Sequence, residues 1–132
     1  MQDRPSQHEI VDAVQRFLDE EVVPHTDGRR QFLVRVAANL LRALDRELLH
    51  EEQFLAEEWA GLNALLGAEP LPAGGRDDLR QAIMRRNETL CSQIRAGSAD
   101  GGAGRALIVA HVRRTVHDKL AITNPGYVRS AS

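Results

Sequence analysis

Polar side chains set on or beside otherwise apolar helical stripes are the residues with chemical potential in this chain: Glu21, Glu47, Arg86, Asn87 and Lys119. An unpaired ion in a protein interior is costly, so Glu21 and Glu47 must find cations or take up protons, and Arg86 must find an anion. Two chemistries follow. In the first, Glu21 or Glu47 joins Arg86, Asn87 or Lys119 in a polar network that fixes helix register, or the long side chains reach past the core to water. In the second, a pocket between helices presents Arg86, Asn87 and Lys119 to the carboxylate or phosphate of a small ligand, which suits their donor chemistry. A further set, Arg35, Asn39 and Arg46, stacks within about 40° on a helical wheel, flanked by Phe32 and Arg42. It reads as an anion or partner site, or as the solvated face opposite a core.

Signatures of catalysis and of metal binding are missing. Glu47-Leu48-Leu49-His50 has the Glu-x-x-His spacing of di-iron bundles, but such a site needs a second copy of the motif and two further carboxylates. The histidines His8, His25, His50, His111 and His117 lack the i, i+4 pairing of a helix-borne zinc site, and no Gly-x-Ser-x-Gly elbow occurs. His111, Thr115 and Asp118 share one edge of a helix, where neighbours usually make surface contacts. Gly104 is followed by Arg105 and Ala106, which is not a phosphate loop. Cys91 is alone and reads as a small buried hydrophobe. No metal or cofactor is expected, and the chain reads as a binding protein more readily than as an enzyme.

The elements that would position these residues are helices. Ser6 with Glu9 three positions on is a capping box; Ile10, Val14, Phe17 and Leu18 then gather on one face with Glu21, and Pro24 closes the run. After Asp27-Gly28, the residues Leu33, Val36, Ala37, Leu40, Leu44 and Leu48 recur at three- and four-residue steps. Leu55, Leu62, Leu65 and Leu66 continue in phase, so an unbroken helix would reach about 57 Å at 1.5 Å per residue. A break at His50-Glu51-Glu52-Gln53 is therefore expected; an unbroken helix would imply a protrusion or an arm in a homodimer. Gly67 to Gly75 is a loop. A third helix starts near Asp77 and Asp78 and carries Leu79, Ile83, Leu90 and Ile94, with Arg86 and Asn87 in the turn that this stripe skips. Gly97 to Gly104 reads as a mobile connector, and a last helix from Arg105 to Ile122 buries Ile108, Val109, Val112, Val116 and Leu120. Asn124-Pro125 stops it.

No segment alternates long enough for a strand. The expected fold is all-α, an antiparallel bundle of four to five helices with a long second helix, as a single domain over residues 1–132. Seventeen basic against nineteen acidic residues leave no field that would draw nucleic acid or an anionic membrane surface. Uncharged runs are too short to span a bilayer, and the first fifteen residues lack a signal-peptide core, so a cytoplasmic location is expected.

Four patterns together resemble a small bacterial family of unknown function. They are IVDAVQRFLDEEVVP at Ile10–Pro24, RVAAN at Arg35–Asn39, LCSQIRAG at Leu90–Gly97 and KLAITNPGY at Lys119–Tyr127. Members of that family are often encoded beside an aminoglycoside-phosphotransferase-like kinase and an acyl-CoA dehydrogenase. The resemblance implies an accessory or interaction protein serving such a partner, and it carries no catalytic residue over. It places Arg35, Asn39, Lys119 and Asn124 within its motifs. The alternative expectation is a small anionic-ligand binder or minor enzyme, with Arg35, Asn39, Arg86 and Lys119 around the ligand.

Overall fold

The computed structural model describes residues 4–130. Ser6 opens the first helix as its spacing to Glu9 predicts. Its Oγ accepts the Glu9 N–H at 3.2 Å, while the Glu9 carboxylate accepts the Ser6 N–H at 2.7 Å. Two amides that a helix start leaves without partners are thereby satisfied. Helix α1 runs Gln7–Phe17, widens into a π turn over Leu18–Val22 and tightens into a 3-10 turn at Val23–His25. Pro24, which has no N–H for the ladder, sits in that last turn. Gln31 then ties the turn to the next helix, its side-chain amide donating to the carbonyls of Val23 at 3.1 Å and Thr26 at 2.9 Å.

Helix α2 is continuous over Gly28–Leu66, so the break expected at His50–Gln53 does not occur. No glycine or proline interrupts residues 29–60, and the Leu, Ala, Glu and Arg that fill them are strong helix formers. Gln53 also donates to Glu57 one turn on, at 2.9 Å. What changes near this point is packing. Residues up to Glu51, together with those from Ile122 onward, form one compact unit, and Glu52–Ala121 form a second. Helix α3 spans Arg76–Gln93 and ends in a π turn over Ile94–Ser98; α4 spans Gly102–Thr123 and α5 Pro125–Ser130. The expected connector at Gly97–Gly104 thus shrinks to residues 99–101. Helix α5 was not expected, because Asn124-Pro125 reads as a stop; proline at a first helical position starts a new helix equally well. Among the described residues there is no strand, and the fold is an all-α bundle with a long second helix.

The second unit holds the core. Trp59 and Leu62 of α2, Ala82, Ile83 and Leu90 of α3 and Ile108 of α4 are buried together, with Leu55, Leu65 and Leu79 packed against them. The first unit is different. Its only buried apolar residue among those described is Ala38. The stripes expected to bury there, Ile10, Val14 and Phe17 on α1 and Leu33, Val36, Leu40 and Leu44 on α2, are exposed, Phe17 to 57% and Leu40 to 67%. On α4 the expectation is corrected too: Val109, Val112 and Val116 lie outward, while Ile108 is buried and His111, Thr115 and Asp118 are half-buried.

Candidate functional site

Two adjacent pairs meet in the second unit. On α2, Glu58 and Trp59 fill the turn between Leu55 and Leu62; on α3, Arg86 and Asn87 fill the turn between Ile83 and Leu90. Arg86, 5% exposed, lies with its guanidinium 5.0 Å from the centre of the Trp59 ring, a cation over an aromatic face. Asn87 donates to the Glu58 carboxylate at 2.8 Å, and the Lys119 ammonium approaches the same oxygen at 3.6 Å from α4. Glu58 is 8% exposed whereas the Lys119 side chain is largely in water. Lysine thus runs its stem along the surface and brings only its tip to the buried carboxylate.

Arg86 is also the cap of α2. It donates to the carbonyls of Leu62 at 3.1 Å and Gly67 at 2.5 Å, to the Asn63 side chain at 2.7 Å, and it pairs with Glu69 at 3.4 Å. Carbonyls at a helix end lack intrahelical partners and carry the negative end of the macrodipole, so a forked cation satisfies both needs. Gly67 makes this possible by turning left-handed, with φ of 95°, and bonding back to Asn63 at 3.1 Å. The remaining Arg86 donor, Nε, is buried without a partner. Arg46 does the same job in the first unit, donating from Nε to the Ile122 carbonyl near the end of α4 at 2.6 Å.

His111 closes the second unit on its α4 side. Its ring rests on Gly61, where a Cβ would come within 2.8 Å of the imidazole Cε1. Burial pushes its pKa below the ordinary value; the charge of Glu58 opposes that and Lys119 reinforces it. Nε2 is buried without a hydrogen-bond partner, as a neutral imidazole tolerates better than an imidazolium. Outside the ring, a shallow groove of about 550 Å³ runs over Ala60, Gly61, Ala64 and Ala110, rimmed by the 2.9 Å ion pair of Glu57 and Arg114.

The residues singled out in the sequence therefore separate. Arg86, Asn87 and Lys119 do assemble, with Glu58 and Glu69 as their acidic partners where Glu21 or Glu47 was expected. Glu21 is exposed, so water solvates it, and Glu47 is half-buried in the first unit. Arg35 and Asn39 are exposed, and Asn39 accepts from Arg42 at 2.6 Å. Cys91 is exposed, contrary to expectation, because it follows the inward Leu90 on the outer side of α3. Sequence reasoning missed Glu58, and it set His111 on a surface edge of the last helix where the structure half-buries it. The signal for Glu58 was present: it breaks the Leu55–Leu62 stripe as Arg86 breaks that of α3. Among the described residues no three His, Cys, Asp or Glu side chains are placed to hold a metal ion, and no helix is long and apolar enough to cross a membrane.

The arrangement defines a small all-α protein whose buried polar groups join helices to one another and to helix ends. Residues 24–127 match the profile of a family described as a domain of unknown function, DUF6285, and the chain belongs to that family. No curated protein and no solved structure matches it.

Proposed function

We propose that the chain is a helical accessory protein that acts by binding other proteins, rather than a catalyst. The observation that supports this reading is the apolar surface left uncovered in both units, on α1 and α2 in the first and along Val109, Val112 and Val116 of α4 in the second. Apolar side chains at helical spacing on an outer face are what a partner helix or surface covers. The buried polar groups point the same way. Asn87 and Lys119 reach Glu58, and Arg86 reaches backbone carbonyls, so they serve the fold and give less support to the alternative, an anionic ligand held between helices. The partner we propose is the kinase-like protein or acyl-CoA dehydrogenase that the sequence resemblance implies, with a cytoplasmic setting.

Native mass spectrometry of the purified chain mixed with each of these proteins tests the proposal. A stoichiometric complex that Val112→Glu abolishes is the expected result. A chain that carries a small anionic molecule and binds neither protein would overturn it.

A further inference from the structure

Two helices of opposite charge carry open apolar stripes of the same length. The stretch Gln7–Val22, which is α1 and its π turn, holds five carboxylates against one arginine, whereas α4 holds four basic residues against the single carboxylate Asp118. Neither of the other long helices is so unbalanced: α2 has five basic and six acidic residues, α3 four and three. On α1 the stripe is Ile10, Val14 and Phe17; on α4 it is Val109, Val112 and Val116, and all six are between 36% and 57% exposed. At about 100° per residue the α1 stripe lies roughly opposite His8 and Asp19, whose bonds to Asp45 and Arg42 hold α1 against α2. The α4 stripe is turned away from the half-buried His111 and Asp118. Each stripe therefore faces outward on its own helix.

Charge and spacing together say what covers them. Each stripe ends in a charged residue at the 4-3-4 spacing of a coiled-coil seam: Ile10, Val14, Phe17 and Glu21 on one helix, Arg105, Val109, Val112 and Val116 on the other. Glu21 and Arg105 are exposed, and neither holds an ion pair among the described residues. Laid antiparallel, the two stripes match in every layer, Arg105 with Glu21, Val109 with Phe17, Val112 with Val14 and Val116 with Ile10. Laid parallel, Arg105 would meet Ile10 and Glu21 would meet Val116, so each charge would lose water without gaining a partner. Helix α2 also offers Arg29, Leu33, Val36 and Leu40 at this spacing, but it has no excess of positive charge to draw an acidic helix. We infer that α1 of a second copy of this chain lies antiparallel on α4, so that the carboxylate-rich helix covers the valine stripe. Each copy has one of each helix, so the contact is heterologous. With three apolar layers it falls short of the roughly 800 Å² per partner of a stable interface and is weak and concentration-dependent. This rests on reading the open stripes as binding surfaces, and it makes a second copy the competitor of the partner protein for Val112.

Sedimentation equilibrium from about 10 to about 500 µM tests it, the range in which a small interface associates. The mass should rise with concentration from the 14.6 kDa of one chain to at least twice that value. Val14→Glu and Val112→Glu, each placing a charge on an already exposed position, should leave the helical circular dichroism unchanged and weaken association at least about 10-fold. Mixed together, the two variants should associate again as one-to-one pairs, because α1 of the Val112→Glu copy and α4 of the Val14→Glu copy are both intact. Glu21→Arg should weaken association about 10-fold, and Glu21→Arg with Arg105→Glu in one chain should restore it. A single-chain mass throughout, or variants that stay apart when mixed, would overturn the inference. An association that Leu40→Glu abolishes and Val112→Glu does not would place the contact on α2 and overturn it too, while failed restoration by the charge exchange would overturn the antiparallel register. A single-chain mass beside a partner complex that Val112→Glu abolishes removes this inference and leaves the accessory reading standing, whereas a self-associating chain that binds neither partner protein does the reverse.

Discussion

Two histidines carry opposite pH signatures. At His8 the hydrogen bond to Asp45 raises the pKa above its ordinary 6.5, against a smaller opposing effect of desolvation. Its folded value exceeds its unfolded one, so the stability it adds is fully present below about pH 6.5 and is lost as pH rises through the folded value. His111 is shifted the other way, chiefly by burial. The unfolded chain then takes up the proton first, and stability falls as pH drops below about 6.5 until the folded value is passed. Urea titrations between about pH 5 and pH 8 should therefore show His8→Gln removing a loss on the alkaline side and His111→Gln removing one on the acid side. Variants with the parent's slopes on both sides would contradict these assignments. Neither role was legible in the sequence. His8 depends on Asp45, 37 positions away, and His111 on the absence of a side chain at Gly61.

The end of α2 depends on one residue of another helix. Arg86 holds the carbonyls of Leu62 and Gly67 and the side chain of Asn63, which in turn accepts the Glu69 N–H at 3.2 Å. Arg86→Ala removes the forked donor from those carbonyls and the buried cation from the Trp59 face, and should cost about 3 kcal/mol in denaturant unfolding. Arg86→Lys should recover less than half of that, because an ammonium cannot fork between them. Amides from Leu66 to Glu69 should exchange faster in both variants; an unchanged unfolding midpoint would contradict the capping role. Helix positions were the most readable part of the sequence. The Ser6–Glu9 capping box and the start at Gly28 are local signals and hold in the structure. The break at His50–Gln53 was inferred from a size argument, and local propensity outweighed it. The α3 stripe announced Arg86 and Asn87, and the same reasoning applied to Leu55–Leu62 would have announced Glu58. Which carboxylate meets which cation depends on helix neighbours, which periodicity does not specify.

For the whole molecule, the instructive difference lies between what is apolar and what is buried. Periodicity identifies a face that avoids water, but the structure gives that face two fates. In the second unit it closes on itself around Leu62; in the first it stays open, with polar pairs joining α1 to α2. A sequence read for a single core assigns both stripes inward, since the pattern of a core helix and that of an interface helix are the same. The central claim is that the apolar stripes left open on α1, α2 and α4 serve to bind a partner protein. Hydroxyl-radical footprinting reads side-chain exposure directly, and the purified chain with and without each proposed partner supplies the comparison. At least one of Phe17, Leu40 and Val112 should label several-fold less in the complex, while Met84, exposed to 60%, keeps its reactivity. Equal labelling of all three with and without a partner would contradict the claim.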